Sequence, residues 1–258
     1  MVLPFIKMHG LGNDYVFIDC FQKPIAEYIA KADLPALARH VSDRHFGIGS
    51  VGLVLMSPTP DADAQMRIFN ADGSEAQMCG NAIRCVAKYL YESGICPKLQ
   101  MQIQTLAGMR SLSLLVADSR VYQVTVNMGV PTIEPRVLSC EAGTIDYTAV
   151  QIGNPHAVFF CDAIPQLPQD TNVEFVLVRN NKEIDVRVIE RGSGETLACG
   201  TGACASAVAA IQQGLTDRNV TVHLPGGDLN VQWRDNIYPV YMTGPATEVF
   251  RGELTIDN

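Results

Sequence analysis

Residues 70–81 read NADGSEAQMCGN, and residues 190–201 read ERGSGETLACGT. When the two stretches are aligned end to end, Cys79 falls on Cys199, and a glycine follows each cysteine. An internal repeat of this kind indicates a duplicated structural unit, so it constrains the architecture more than any single residue does. The sequence therefore predicts two related halves, each built around a turn, a cysteine, a glycine and a helix.

The local pattern places each cysteine at the start of its helix. Alternating apolar residues precede each copy, at 65–69 and 184–189, and such alternation is typical of strands. The residues after each cysteine have the composition of a helix and end near Gly94 and Gly214, which suit left-handed C-terminal caps. In each half we expect a strand, a turn and a helix that begins next to the cysteine.

A cysteine in this position has a distinctive chemistry. The free N–H groups of a helix N-terminus and the positive end of its dipole stabilise a thiolate. In such settings the pKa of a thiol falls from about 8.5 by one to several units. The adjacent glycines leave the N–H groups open to an anion such as a carboxylate. Two such thiols on opposite faces of one carbon, one a base and the other an acid, would invert its configuration.

The other cysteines are interpreted as core residues, because free cysteine is among the most buried residue types. A chain of this length without a leader sequence favours free thiols over disulfides. No C-x-x-C pair occurs, so the sequence predicts no metal site. The six cysteines assigned to the core are Cys20, Cys85, Cys96, Cys140, Cys161 and Cys204.

Composition excludes several classes of function. Of the 258 residues, 47% are hydrophobic and 18% are charged, which is typical of an ordered protein. The formal net charge of −8 argues against binding to nucleic acid or to an anionic membrane, since both need a basic surface. There is no apolar run of membrane-spanning length and no basic-then-apolar leader, so we expect a cytoplasmic protein.

The order of elements favours an α+β fold. About a dozen short strands and two principal helices are predicted, with a surface helix at 33–45 capped by Asp33. The second principal helix has no charge over 196–216, so we expect it to be buried inside a wrapped sheet. The first carries Arg84, Lys88 and Glu92, and we expect one side or its outer end to reach solvent.

A second pair of motifs supports the duplication. Residues 12–17 (GNDYVF) match residues 153–158 (GNPHAV), and each precedes the cysteine of its own half. In this order the motifs resemble those of the diaminopimelate epimerase family over nearly the whole chain. The stretches that carry the resemblance are 9–14, 70–81, 153–156, 172–174 and 190–204.

The resemblance implies a cofactor-independent isomerase that interconverts LL- and meso-2,6-diaminoheptanedioate, in lysine and peptidoglycan precursor synthesis. It implies that the protein forms a homodimer. It also implies that the protein binds a small-molecule substrate, diaminopimelate. The implied fold has two pseudo-symmetric domains, each a mostly antiparallel or mixed β-sheet curled into a barrel around a central helix, with the active site in the cleft between them. The domain limits expected are 1–117 plus 246–258 for the first and 118–245 for the second.

The resemblance also implies roles for individual residues. Cys79 and Cys199 are the two bases, and His156 and Glu190 assist them in proton transfer. Arg191 is suited to bind the distal carboxylate of the substrate. The reacting carboxylate is expected at the backbone N–H groups of Gly80, Asn81, Gly200 and Thr201. The remaining substrate contacts implied are Asn13, Asn70, Asn154, Asn172 and the Glu190 side chain.

The chain departs from the family at one point. The family usually carries an acidic residue and then Gln or Gly at the positions of Val51 and Gly52, and a Gln there helps to bind substrate. No such side chain is present here, so we assign no contact at this point.

Three other functions compete with this interpretation. A proline racemase or hydroxyproline epimerase shares the fold and the cysteine pair. At the first site those enzymes resemble Met-Cys-Gly-His, whereas this chain has Asn81 in place of the histidine. A thiol redox protein would use Cys79 and Cys199 as a reversible disulfide. A binding protein for diamino acids would show affinity without turnover.

Overall fold

A computed structural model describes residues 2–140, 143–163, 171–191 and 194–256. Contacts between Cα atoms divide the chain into two compact units. Unit 1 comprises Met1–Thr125 and Pro245–Asn258, and unit 2 comprises Val126–Gly244. The domain limits expected from the sequence, near 117 and 245, stay a prediction.

Eighteen strands and four helices are formed by the described residues. In chain order the first elements are β1 (Val2–Gly10), β2 (Asn13–Asp19), α1 (Lys23–Ile29), α2 (Leu34–Ser42), β3 (Gly52–Ser57), β4 (Ala64–Asn70), β5 (Glu75–Ala76), α3 (Gly80–Glu92), β6 (Gln100–Thr105), β7 (Gly108–Ala117) and β8 (Arg120–Gly129). They are followed by β9 (Thr132–Cys140), β10 (Gly143–Ile152), β11 (Asn154–Phe159), β12 (Asn172–Asn180), β13 (Glu183–Glu190), β14 (Gly194–Thr196), α4 (Gly200–Gln212), β15 (Asn219–Leu224), β16 (Gly227–Trp233), β17 (Val240–Gly244) and β18 (Thr247–Thr255).

The two units repeat one strand topology. In unit 1 the neighbours run β18-β1-β2-β3-β4-β6-β7, and in unit 2 they run β9-β10-β11-β12-β13-β15-β16-β17. Each series is antiparallel except at two equivalent pairs, β2–β3 and β4–β6 in unit 1 and β11–β12 and β13–β15 in unit 2. The predicted α+β fold with duplicated mixed sheets is confirmed.

Helix α4 is enclosed by the sheet of its own unit. It packs against β10, β11, β12, β13, β15, β16 and β17, and Gly200 through Ile211 are all buried. The sequence explains this, since a helix of Ala, Gly, Val and Cys without charge has no face that water would solvate. The prediction that this helix is buried is confirmed.

The outer end of helix α3 is partly exposed, as expected, whereas Arg84 near its start is buried. This side chain does not reach solvent but is fully buried, with its guanidinium donating to Gly80 O at 2.9 Å, Asn81 Oδ1 at 2.9 Å and Pro245 O at 3.0 Å. Only Lys88 and Glu92, which form a 2.6 Å ion pair, are partly exposed. A guanidinium can be buried where carbonyl oxygens accept its protons, and sequence periodicity alone does not reveal such acceptors.

Local signals account for the smaller elements. The predicted surface helix is α2, and the Asp33 carboxylate accepts from Ala36 N at 3.0 Å as its N-cap. Helix α1, with Pro24 in its first turn, and strand β9 were not predicted. Strand β9 contains Pro135, which breaks a strand pattern but is tolerated where the strand pairs on one side, as here with β10.

Most cysteines assigned to the core are there. Cys20, Cys85, Cys96 and Cys204 are buried and form no disulfide, whereas Cys161 is half-buried. The side chain of Cys140 lies outside the described residues. None of the described helices is long and apolar enough to cross a membrane.

We expect Arg84→Ala to lower the free energy of unfolding by about 3 kcal/mol, because three oxygens lose their donor in a site closed to water. Urea denaturation gives this value directly. The matched control is Arg120→Ala, whose exposed side chain pairs with Glu92 and is expected to contribute less than about 1 kcal/mol. Equal losses in the two variants would contradict the account of Arg84.

Candidate active site

An arginine–glutamate pair fixes the turn that leads into each central helix. In unit 1 the Arg67 guanidinium donates to both carboxylate oxygens of Glu75, at 2.7 and 3.1 Å. In unit 2 Arg187 donates in the same way to Glu195, at 3.0 and 3.2 Å. The two pairs are equivalent in the repeat, and each ties the long strand to the short one that precedes the cysteine. A bidentate pair adds geometric specificity even where exposure limits its energy.

Cys79 occupies the N-cap position of α3, as predicted. Its backbone is extended, its carbonyl accepts from Ile83 N at 3.0 Å, and the side chain is half-buried. The Sγ atom makes no capping hydrogen bond to the described helix backbone. It accepts instead from the Tyr15 hydroxyl at 3.3 Å.

Cys199 occupies the same position on α4, and its surroundings differ. The sulfur accepts from Gly202 N at 3.3 Å and lies 3.4 Å from Thr201 Oγ1. Burial raises the pKa of the Cys199 thiol well above its usual value, and the Glu190 and Glu174 carboxylates raise this pKa further. The hydrogen bonds from Thr201 and Gly202 lower the pKa but do not reverse the shift. The expected stabilisation of a thiolate is therefore outweighed at this cysteine.

His156 is paired with a buried carboxylate. Its Nδ1 lies 2.6 Å from Glu174 Oε1, and both side chains are fully buried. Burial raises the pKa of Glu174, and the nearby Glu190 carboxylate adds to this rise in pKa, while His156 opposes it. His156 Nε2 has no hydrogen-bond partner among the described residues. The pair thus holds the imidazole in one orientation and leaves its second nitrogen available.

Glu190 and Arg191 lie at the end of β13. The Glu190 carboxylate accepts from Thr196 Oγ1 at 2.6 Å, and the carboxylate raises the pKa of Cys199. Arg191 N donates to Asn172 Oδ1 at 2.9 Å, and the Arg191 side chain is exposed. The Asn172 amide therefore determines where the arginine leaves the strand.

The candidate substrate residues of unit 1 surround the start of α3. Asn81 is buried and its Oδ1 accepts from Arg84, so its side chain serves the fold. A Cβ added at Gly10 would lie 3.0 Å from Asn81 Cβ, which shows how closely α3 packs on β1. Asn13 begins β2, and Asn70 ends β4 with its Nδ2 donating to Ser74 Oγ at 3.0 Å. Gly80 is the first helical residue.

The candidate residues of unit 2 surround the start of α4. Gly200 and Thr201 are its first two residues and are buried. Gly153, at φ 75°, lies so close to Thr201 that an added Cβ would be 3.5 Å from the threonine methyl group. This contact brings the turn before Asn154, an exposed residue, to the helix N-terminus.

The structure explains why position 52 carries no side chain such as Gln. A Cβ at this position would lie 2.3 Å from Phe69 O and 3.2 Å from Cε1 of Tyr15. A side chain such as Gln therefore has no room here without movement of the backbone. The neighbouring residue Val51 is bonded to the chain next to Tyr15, since its N–H donates to Asp14 O at 2.9 Å.

Sequence reasoning missed Tyr15 and Glu174 as members of the site. The repeat contained a signal for both, because Tyr15 aligns with His156, and Glu174 lies within a stretch already noted for its resemblance. Neither carries chemistry that stands out without coordinates, and only their contacts with Cys79 and with the Cys199 environment identify them.

Each unit therefore offers a thiol beside the N-terminus of a buried helix. The N–H groups of a first helical turn have no acceptor within the helix and can bind a carboxylate. A thiol next to a bound carboxylate is suited to exchange a proton with the neighbouring carbon.

The model of the family described as diaminopimelate epimerase matches residues 5–134 and 163–249. The chain belongs to this family. It is an isomerase of the epimerase class. A diaminopimelate epimerase of Pelotomaculum thermopropionicum is 50% identical, with 96% of this chain and 98% of that protein covered. The diaminopimelate epimerase of Desulfitobacterium hafniense is 47% identical, with 99% of each covered.

Solved structures of other proteins share the epimerase fold. A hydroxyproline epimerase from Agrobacterium vitis has a TM-score of 0.75 at 16% identity, with 100% of this chain and 93% of that chain covered. A phenazine biosynthesis protein of Bacillus anthracis has a TM-score of 0.75 at 14% identity, with 99% and 100% covered. At these identities the likeness concerns the fold alone.

We expect iodoacetamide to alkylate Cys79 of the folded epimerase at least about tenfold faster than Cys199 at pH 8. Cys199 is only 4% exposed, and the pKa of its thiol is raised by burial and by Glu190 and Glu174. Mass spectrometry of the two peptides over time gives both rates. Denatured protein, in which both thiols are accessible, is the control, and equal rates in the folded state would contradict this account.

Proposed function

We propose that this epimerase interconverts LL- and meso-2,6-diaminoheptanedioate with two cysteines and no cofactor. The observation that carries the proposal is the duplicated thiol at the N-cap of a central helix, Cys79 on α3 and Cys199 on α4. Membership of the diaminopimelate epimerase family, with relatives up to 50% identical over nearly the full chain, supports the substrate.

In the proposed reaction the two thiols act on opposite faces of one α-carbon. The Cys79 thiolate takes the α-proton, so a C–H bond breaks and an S–H bond forms. The electron pair stays on the carbon and spreads into the carboxylate, which the helix N–H groups stabilise. The Cys199 thiol then gives its proton to the other face, and its sulfur is left as the thiolate. The reverse direction exchanges the two roles.

Two further groups support the second cysteine in this scheme. The Glu190 and Glu174 carboxylates both raise the pKa of Cys199 through their charge. Glu174 is also bonded to His156, which places this histidine in the same surroundings. We assign to His156 and Glu190 the task of assisting proton transfer at the thiols. Enclosure of the thiols matters because the α-proton is weakly acidic, and a site closed to water strengthens every charge interaction that favours its removal.

The remaining residues account for the two ends of the substrate. We place the reacting carboxylate at the backbone N–H groups that begin each helix, namely those of Gly80, Asn81, Gly200 and Thr201. The distal amino-acid group needs a cation for its carboxylate and oxygen acceptors for its ammonium. We assign the cation to Arg191 and the other polar contacts to Asn13, Asn70, Asn154, Asn172 and the Glu190 side chain.

A proline or hydroxyproline epimerase is the second candidate, because it shares this fold and acts on an amino acid with one carboxylate. The Asn172 side chain accepts from the backbone N–H of Arg191 where the chain leaves β13, and we assign the exposed Arg191 guanidinium to a second carboxylate, which proline lacks. A redox role for the two thiols predicts retained function of a Cys79–Cys199 crosslink, whereas the proposed reaction predicts loss of activity.

A role in lysine and peptidoglycan precursor synthesis, a homodimeric state and a cytoplasmic location stay predictions. Each follows from the resemblance and the composition, and each has a direct measurement. Growth of a diaminopimelate-requiring strain tests the pathway, sedimentation velocity tests the dimer, and fractionation of cells tests the location.

We expect proton NMR in D2O to show loss of the α-proton signal of LL-diaminopimelate with formation of the meso isomer. Either Cys79→Ser or Cys199→Ser is expected to slow this exchange by roughly 100-fold or more, because a serine is a far poorer acid and base than a thiol. Reduced protein free of metal and pyridoxal is used throughout. Cys161→Ser, a half-buried cysteine outside the candidate site, is the matched control.

Two outcomes of this experiment would overturn parts of the proposal. Exchange of proline or hydroxyproline with diaminopimelate left untouched would keep the fold and reject the substrate. Full activity of either serine variant would reject the two-thiol mechanism.

We expect Arg191→Met to raise KM for diaminopimelate by about 10- to 100-fold, since a charge-assisted contact with the distal carboxylate is lost. Steady-state kinetics of Arg191→Met, of the control variant and of the wild type give the KM values to compare. Arg136→Met is the matched control, because this exposed arginine of β9 pairs with Glu134 outside the candidate site. An unchanged KM in Arg191→Met would remove this residue from the substrate site.

A further inference from the structure

Tyr15 occupies the position in unit 1 that His156 occupies in unit 2. Each follows a Gly-Asn pair by two residues, and each lies on a strand that is antiparallel to the preceding strand and parallel to the next. The duplication therefore places a polar side chain at the same point of each unit. In unit 2 that side chain binds Glu174, and in unit 1 it binds the cysteine itself.

The phenol of Tyr15 is held in place by packing. The residue is only 6% exposed, and its ring lies edge-to-face on Phe17 with centroids 6.2 Å apart. Gly52 leaves room for the ring, because a Cβ there would come within 3.2 Å of Tyr15 Cε1. A ring fixed in this way loses little further entropy when its hydroxyl forms a hydrogen bond. The 3.3 Å contact with Cys79 Sγ is thus set by the fold.

The contact favours one protonation state of the sulfur. A phenolic O–H donates, a thiolate is a strong acceptor, and a neutral thiol is a weak one. The N-terminus of α3 adds the positive end of its dipole. Among the described residues, the Cys85 thiol of α3 interacts with both Cys79 and Arg84, and the Arg84 guanidinium donates to Gly80 O, next to Cys79.

We propose that Tyr15 is a positioning residue that holds Cys79 as the thiolate in the resting epimerase through the hydrogen bond from its hydroxyl. Cys79 is then the base that is ready at the start of turnover, and Cys199, enclosed with Glu174 and Glu190, is the proton donor. The assignment of a base rests on the proposed function, whereas the ionisation of Cys79 does not.

The test is Tyr15→Phe, which removes the hydroxyl and keeps the ring. The rate of iodoacetamide alkylation at Cys79, followed by mass spectrometry as a function of pH, gives the midpoint of thiolate formation. We expect this midpoint to rise by roughly one pH unit, a tenfold change in the acid dissociation constant. The acid limb of kcat/KM for LL-diaminopimelate is expected to move in the same direction. Tyr122→Phe, an exposed tyrosine, is the matched control.

An unchanged midpoint at Cys79 in folded Tyr15→Phe would overturn the proposal. Should this variant fail to fold, wild-type protein grown with 3-fluorotyrosine supplies a stronger donor at the same place, and the midpoint is expected to fall; no fall would overturn the proposal. Because alkylation needs no substrate, a shifted midpoint without turnover of diaminopimelate would reject the proposed function alone. Turnover with an unshifted midpoint would reject the role of Tyr15 alone.

Discussion

A buried helix N-terminus is the constraint on which the site depends. The first turn of any helix has N–H groups without acceptors in the helix, and away from water each such group is costly. In α4 this end is buried, and the residue before it is Cys199, whose sulfur accepts from the N–H of Gly202. Under the proposed function the substrate carboxylate accepts from the N–H groups at this end, next to the thiol.

The charged and polar groups near the cysteine differ between the two units. Near Cys79 the structure places the Tyr15 hydroxyl, which donates to the sulfur, and on α3 the buried Arg84 guanidinium and the buried Cys85 thiol. Around Cys199 the groups are the carboxylates of Glu174 and Glu190, which favour the neutral thiol. A two-base epimerisation needs one thiolate and one thiol at the same moment. In the proposed reaction this difference between the units would supply the thiolate and the thiol, while the strand topology stays the same.

Much of the fold and part of the site could be predicted from the sequence. The repeat located both cysteines at N-caps, and the absence of charge in α4 predicted its burial, because both depend on local pattern. The burial of Arg84 could not be predicted, since its acceptors include Pro245 O, far away in the chain. Tyr15 and Glu174 were missed for the same reason, as their roles come from partners that pairing of distant strands brings near.

Strand register shows how the difference between the units was built. His156 lies opposite Asn172, and Val158 lies opposite Glu174; in unit 1 the residue opposite Phe17 is Val54. Where unit 2 has a buried histidine and glutamate, unit 1 therefore has a tyrosine and a valine.

The first turns of the two helices differ between the units in a way that matches this difference on the strands. A Cβ at Gly202 would lie 2.8 Å from Glu174 Oε1, so the buried carboxylate requires a glycine in the first turn of α4. The repeat places Ala82 at this point of α3, where the strand residue equivalent to Glu174 is the apolar Val54. Glycine and glutamate thus form a matched pair on one side, and alanine and valine on the other. A single substitution in either unit would leave a clash or a cavity, so the residue in the first turn of each helix is linked to the strand residue that it faces.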